Sequence, residues 1–175
     1  MKPFHSIPTL ETERLILRAP TRADFDGYAA IMTSARANYM FEKMSARSAW
    51  NYFASDVAGW VLDGFGYWTA VDRHSKEPCV YLGFTQPDNF PELELGWMTT
   101  ADAEGKGYAF EAAKAAQEWA FSVLKVDSFV SYITPGNTRS VALATRLGAT
   151  KDAQAALPDG ETPEETTVYR HRRVA

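Results

Sequence analysis

Between Glu92 and Ile133 a strand, a glycine turn, an alanine-rich helix and a second strand follow one another, and that succession constrains the fold more than anything else in the chain. Glu92-Leu93-Glu94-Leu95-Gly96-Trp97-Met98 alternates strictly, so Leu93, Leu95 and Trp97 share one face and Glu92, Glu94 and Gly96 the other. From Tyr108 to Leu124 the residues Ala109, Ala112, Ala113, Ala116, Trp119, Ala120 and Leu124 mark one buried stripe of a helix. Ser128 to Ile133 reads as the next strand. A strand-helix-strand crossover of this kind is right-handed and makes its two strands parallel neighbours.

The remaining elements surround that unit. Arg14-Leu15-Ile16-Leu17-Arg18 reads as a first strand that Ala19-Pro20 ends. Phe25, Tyr28, Ala29 and Met32 predict an amphipathic helix from Ala23 to about Thr33, and Trp50, Phe53, Val57, Trp60 and Val61 predict a second one that Gly64 stops. Tyr67 to Val71 and Cys79 to Thr85 flank a polar turn and form a hairpin. Asn137 caps a short helix that reaches about Leu147 and stops at Gly148, and a last strand spans Thr166 to Arg172 beyond the acidic loop Asp159 to Glu165, read as mobile. The expectation is an α/β (α+β) fold of one domain over residues 1–175. Its central sheet is mixed but mostly antiparallel, with helices on both faces and a parallel β-α-β crossover in the middle.

Composition removes several classes. Lys plus Arg number 18 against 22 Asp plus Glu, a formal charge of −4, whereas nucleic-acid binding requires a dense basic surface. Cys79 is the only cysteine, so no internal disulfide forms, and with His5, His74 and His171 scattered along the chain no Cys/His spacing suits a metal. Met1 to Thr9 has no apolar leader segment and no window approaches the ~18 apolar residues of a membrane span, so the expectation is a cytoplasmic protein.

The chemistry is concentrated in Glu104-Gly105-Lys106-Gly107-Tyr108-Ala109, just before the alanine-rich helix. Glycines there let the backbone turn its free N–H groups toward an anion, and the helix dipole adds attraction for phosphate. The competing reading is a plain tight turn. The segment lacks the third glycine and ribose-binding acid of a dinucleotide fingerprint and the Gly-Lys-Ser/Thr run of a nucleoside-triphosphate loop.

Five stretches in order carry a resemblance. They are Leu10-Glu11-Thr12-Glu13-Arg14-Leu15-Ile16-Leu17-Arg18, Glu94-Leu95-Gly96-Trp97, Gly105-Lys106-Gly107-Tyr108-Ala109-Phe110-Glu111-Ala112, Asn137-Thr138-Arg139-Ser140, and Arg146-Leu147-Gly148-Ala149. From about residue 9 to residue 150 the chain resembles the GNAT superfamily of acetyl-CoA-dependent N-acetyltransferases, and within it the branch that acetylates the N-terminal residues of ribosomal proteins. The family's loop is usually Gln/Arg-x-x-Gly-x-Gly/Ala, so Glu104 departs from the pattern by placing an acid first; Lys106 and Arg139 are candidates to offset it.

The resemblance implies acetyl-CoA as co-substrate and no metal. The amides from Glu104 to Ala109 would hold the diphosphate, and the pantetheine arm would lie along Trp97, Met98 and Thr99 like an added strand, a geometry that splayed parallel strands offer in any case. Asn137 would be a further cofactor contact, a helix cap, or both. Glu94 is the candidate base through a water, or else an ordinary strand carboxylate. The family's thiolate-protonating tyrosine falls at Ala144 and is missing, which leaves Ser140 as the group near the sulfur, or as a first-turn serine satisfying backbone. The oxyanion donor would be an amide near Trp97 or Met98. Tyr39, Met40, Phe41 and Trp50 are candidates to line the acceptor cleft, and Asp88-Asn89-Phe90-Pro91 to face it. The acceptor expected is a protein or peptide α-amine, with a polyamine, amino acid or aminoglycoside as alternative. A silent acyl-CoA-binding module and a scaffold that binds nothing are the competing classes. A homodimer is a common arrangement in the family.

Overall fold

The computed structural model describes residues 7–40 and 44–173. Its elements are β1 (Leu10–Glu11), β2 (Leu15–Arg18), α1 (Phe25–Met32), α2 (Ala46–Leu62), β3 (Tyr67–Asp72), β4 (Pro78–Thr85), β5 (Glu94–Thr99), α3 (Tyr108–Trp119), β6 (Ser128–Ile133), α4 (Thr138–Arg146), β7 (Thr150–Lys151) and β8 (Thr167–Arg172). Among the described residues these strands form one sheet in the order β1-β2-β3-β4-β5-β6-β8-β7. Every neighbouring pair is antiparallel except β5 and β6.

The alternation of each strand sorts its side chains onto two packed layers. Leu15, Leu17, Trp68, Ala70, Leu82, Phe84, Leu95 and Phe129 meet α3, whose Ala112, Ala113 and Ala116 are small enough to bring the helix close to the sheet. Trp60, Trp68 and Trp119 pack edge to face within this layer, at centroid separations of 4.6 to 5.5 Å. On the other face Tyr81, Met98 and Tyr67 are covered by Tyr28, Ile31 and Met32 of α1 and Ala49 and Phe53 of α2.

Several expected boundaries shift for identifiable reasons. The first helix begins with a 3-10 turn at Arg22–Asp24, because the Asp24 carboxylate folds back to accept the Thr21 amide and both terminal nitrogens of Arg18. The long helix widens to a π turn over Ala120–Leu124, which rolls Phe121 and Leu124 onto the core, and Lys125 ends it in the left-handed region. Strands β1 and β7 are two residues each, too short for any period to register in the sequence.

Gly83 lies where β4 passes the entry of β3. A Cβ there would fall within 3.0 Å of the Gly66 carbonyl oxygen and the Tyr67 Cα, both backbone. Gly83→Ala is therefore expected to cost about 2 kcal/mol by forcing those strands apart, read as a lower denaturation midpoint. An unchanged midpoint would show that the strands can separate freely there.

Candidate active site

The parallel pair at the centre of the sheet opens almost as soon as it forms. Glu94 registers with Val130, the Val130 amide donates to the Leu93 carbonyl at 2.9 Å, and the Ser131 hydroxyl donates to the Leu95 carbonyl at 2.8 Å. From there β6 follows β8 and leaves β5. Backbone groups alternate along a strand, and residues 93 and 95 face β6 while the Thr100 amide donates to Cys79 on the β4 side. Trp97 and Thr99 thus direct their backbone groups into the opening. The Met98 backbone is turned to its β4 partner Tyr81 instead, and its side chain is buried under α1 and α2. Of the three residues expected along the strand edge, Trp97 and Thr99 turn toward the opening, although the Thr99 carbonyl already accepts from Arg36 Nη2 at 3.2 Å.

Beyond Thr99 a 3-10 turn at Ala101–Ala103 leads into the glycine segment. Gly105 and Gly107 have φ of +75° and +79°, and a Cβ at either would meet open space or only the Arg14 guanidinium at 3.5 Å. Glycine is thus required for the backbone conformation and not for room. The Glu104 and Lys106 amides are used within the turn, and α3 opens with the Glu111 amide donating to Gly107. The amides of Gly107, Tyr108, Ala109 and Phe110 have no acceptor among the described residues. Arg14 fastens the loop: its Nη1 donates to the Lys106 carbonyl at 2.9 Å, its Nε donates to Glu111 at 2.7 Å, and its guanidinium lies over the Tyr108 ring. Glu111 also accepts from the Thr12 hydroxyl and the Arg14 amide, so the turn between β1 and β2 holds the first turn of α3 in place. The Tyr108 hydroxyl donates to Asp72 at 2.6 Å.

Glu104 does not stand unpaired before this loop. Its two carboxylate oxygens accept from Arg36, at 2.6 Å, and from Arg139. Those guanidiniums hold its carboxyl below the ordinary range. Lys106, the other cation expected to offset the acid, forms no ion pair among the described residues; Arg36, which sequence reasoning missed, takes that place.

At the other side of the opening stands Glu94. It is half-buried on the α1/α2 face, and the Tyr132 amide approaches its Oε1 at 3.4 Å. Burial pushes its carboxyl up to about 8, against the Tyr132 amide and with help from the charges of Glu161 and Asp56. The Tyr67 phenol lies over Gly96, where a Cβ would fall within 3.0 Å of its oxygen. Asp56 of α2 accepts from the Tyr28 hydroxyl at 2.8 Å, and burial pushes it up to about 7. Phe90 packs edge-on against Tyr132 at 5.1 Å, and the Asp159 amide donates to Asn89, which brings the loop after β7 to the same rim. Tyr67, Asp56 and Tyr132 carried no sequence signal, since each sits on an element whose period reports only its face.

The other expected residues fall as follows. Asn137 caps α4, accepting the Ser140 amide at 3.2 Å, and the Ser140 hydroxyl has no partner among the described residues. Ala144 is sealed in a cluster with Ile133 and Ala149. The Tyr39 carbonyl accepts from the Thr134 hydroxyl at 2.6 Å, while Met40 is exposed. Trp50 sits between Phe25, Phe53 and the Arg22 guanidinium in the helix packing, and no contact brings it to Glu94. Phe41 lies outside the described residues. Among the described residues no group of three or more His, Cys, Asp or Glu could hold a metal, and no helix is long and apolar enough to cross a membrane.

Comparison with known proteins identifies the family and the fold. An acetyltransferase from Agrobacterium tumefaciens is 38% identical and superimposes with a TM-score of 0.89 over 99% of both chains. A spermidine N-acetyltransferase from Vibrio cholerae, solved with CoA and spermine, shares the fold at 16% identity, with a TM-score of 0.69 over 91% of this chain and 94% of that one. The Bacillus subtilis protein YkkB is 31% identical over 87 residues, a match that spans 49% of this chain and about half, 51%, of that curated relative. The model of the acetyltransferase (GNAT) domain matches residues 14–150. The domain model covers most of the chain and the 38% identical acetyltransferase superimposes along its whole length, so the chain belongs to the GNAT acetyltransferase domain family.

Proposed function

We propose that this chain transfers the acetyl group of acetyl-CoA to a primary amine, and that the amine is the α-amine of a protein or peptide. The amides opening α3 would hold the diphosphate, Trp97 and Thr99 would pair with the pantetheine amides, and acceptor and donor would meet beside Glu94. In the transfer the amine nitrogen bonds to the acetyl carbon, the carbon-sulfur bond breaks with its electron pair leaving on sulfur, and the amine gives up a proton. Glu94, acting through a water, takes that proton, and the Trp97 amide supports the developing oxyanion. A thiol of pKa near ~8.5 leaves readily, so the free Ser140 hydroxyl suffices as a hydrogen-bond partner where a tyrosine is missing.

The observation that carries this reading is the half-buried Glu94 carboxylate beside the gap where β5 and β6 part, its Oε1 3.4 Å from the Tyr132 amide, and burial there pushes the carboxyl up to about 8. It also bears on the acceptor. An α-amine has a pKa of ~7.7–8.0, close to that value, so its proton passes to Glu94 at little cost, whereas a lysine or polyamine amine near ~10.4 would hold its proton more than two units tighter. A small-molecule amine is the alternative acceptor. The test is thiol release and mass-spectrometric detection of acetylated products after incubation with acetyl-CoA and a mixed library of peptides, polyamines, amino acids and aminoglycosides. Acetylated peptide N-termini are expected. Products confined to polyamines or aminoglycosides would overturn the peptide assignment, and tight CoA binding with no thiol released for any amine would leave a silent binding module.

A further inference from the structure

The loop that joins α1 to α2 reaches across the opening in the sheet and touches the glycine segment. Its 3-10 turn at Ala35–Ala37 carries Arg36, whose Nη2 donates to the Thr99 carbonyl at 3.2 Å and to Glu104 at 2.6 Å. Thr99 is where β5 ends, so this guanidinium links the end of that strand to the first residue of the glycine segment. Arg139, in the first turn of α4, reaches the other oxygen of the same carboxylate. A few residues on, the Tyr39 carbonyl is held by Thr134, and its ring lies 3.8 Å from where a Cβ of Gly136 would stand.

Two guanidiniums converging on two oxygens of one anion is the arrangement that arginine adopts around a phosphate. One carboxylate against two guanidiniums leaves the group positive, and the Arg36 Nε is buried with no partner among the described residues. Nothing in the packing of Glu104 requires an acid at this point, since its side chain is exposed and its backbone alone makes the turn.

We propose that Arg36 is a ligand of the coenzyme's diphosphate, and that Glu104 occupies it and Arg139 in the free protein as an internal substitute for that diphosphate. Coenzyme binding then displaces a carboxylate from two arginines. Because Arg36 shares its loop with Tyr39, one of the residues expected to line the acceptor cleft, the same exchange would tie that residue's position to the arrival of the donor. This inference rests on the coenzyme reading above.

Three donors separate the roles: acetyl-CoA, its 3′-dephospho form, and S-acetyl-pantetheine, which lacks the diphosphate. Arg36→Ala is expected to lower kcat/KM about tenfold for the first two, through KM, and about twofold or less for the third, whose pantetheine arm still meets the Thr99 carbonyl that Arg36 holds. Glu104→Gln, which keeps the shape and removes the charge, is expected to lower the Kd for acetyl-CoA about threefold by titration calorimetry, without effect on S-acetyl-pantetheine. Equal losses with all three donors would overturn the proposal in favour of a loop-holding role for Arg36. Loss of the effect with the 3′-dephospho donor would overturn it in favour of the ribose phosphate. Weaker acetyl-CoA binding in Glu104→Gln would show that the carboxylate positions the arginines and does not compete. Wild-type protein that binds no acetyl-CoA would bring down the coenzyme reading itself, whereas binding indifferent to both substitutions would bring down only this inference.

Discussion

Glu94→Gln is expected to lower kcat about 100-fold while leaving the Kd for acetyl-CoA unchanged, because general base catalysis is typically worth ~100-fold or more and the substitution keeps shape and hydrogen bonding to Tyr132. In the wild-type protein kcat should rise with pH through a limb near 8, the range to which burial pushes this carboxyl. The variant should lose that limb. A drop of less than about threefold with the limb intact would remove Glu94 from the chemistry, since so small a loss is below what general catalysis supplies.

The same substitution makes a stability prediction of opposite sign. Burial raises the folded-state pKa of Glu94 above the unfolded carboxyl value of ~4.3, so between those two values the folded chain holds the extra proton. Stability is therefore lost as pH rises through that window. Glu94→Gln should match the wild type near the unfolded pKa and exceed it at pH 8.5 by about 2 kcal/mol, a figure reduced from the full shift because water reaches the half-buried group. Denaturant titrations at the two pH values would show it. A variant less stable than wild type at the higher pH would mean that the carboxylate is welcomed by the fold and not tolerated for its chemistry.

The second large effect falls at the cradle. Gly107→Val places a β-branched residue at a φ of +79°, a region that costs a non-glycine residue roughly 1–2 kcal/mol and a β-branched one more. The loop can relieve the strain only by turning the amides of Gly107, Tyr108 and Ala109 away from the opening. The KM for acetyl-CoA is expected to rise about 30-fold or more with little change in the KM for the amine. Glycine is needed here for conformation alone, since a Cβ would meet only the flexible Arg14 guanidinium. An unaltered coenzyme KM would show that these amides bind nothing.

What the sequence made legible, and what it did not, divides along a physical line. The alternation of β5, the alanine stripe of α3 and the capping Asn137 are local patterns, and the folded chain keeps each of them. So does the glycine turn, because positive φ at Gly105 and Gly107 is a property of two residues and needs no partner. Met98 illustrates the limit: the sequence places it on the strand beside the opening, but only the register with Tyr81 shows that its backbone faces the wrong way. Glu104 and Arg36 are 68 residues apart, and Asp56 and Tyr28 are separated by 28. Partners so distant in the chain leave no periodicity behind, so the acid at Glu104 reads from sequence as a liability and in the fold as one corner of an ion-pair cluster. The boundaries that moved, at Arg22–Asp24 and Ala120–Leu124, are places where a side chain or the core imposes a tighter or wider turn than propensity alone would choose.

A crystal structure of the protein with coenzyme A bound tests the central claim most directly. The diphosphate should lie on the amides of Gly107, Tyr108 and Ala109, with the pantetheine amides paired to Trp97 and Thr99 and the sulfur pointing toward Glu94. Coenzyme seated elsewhere on the surface, or an opening between β5 and β6 closed by neighbouring side chains, would contradict it.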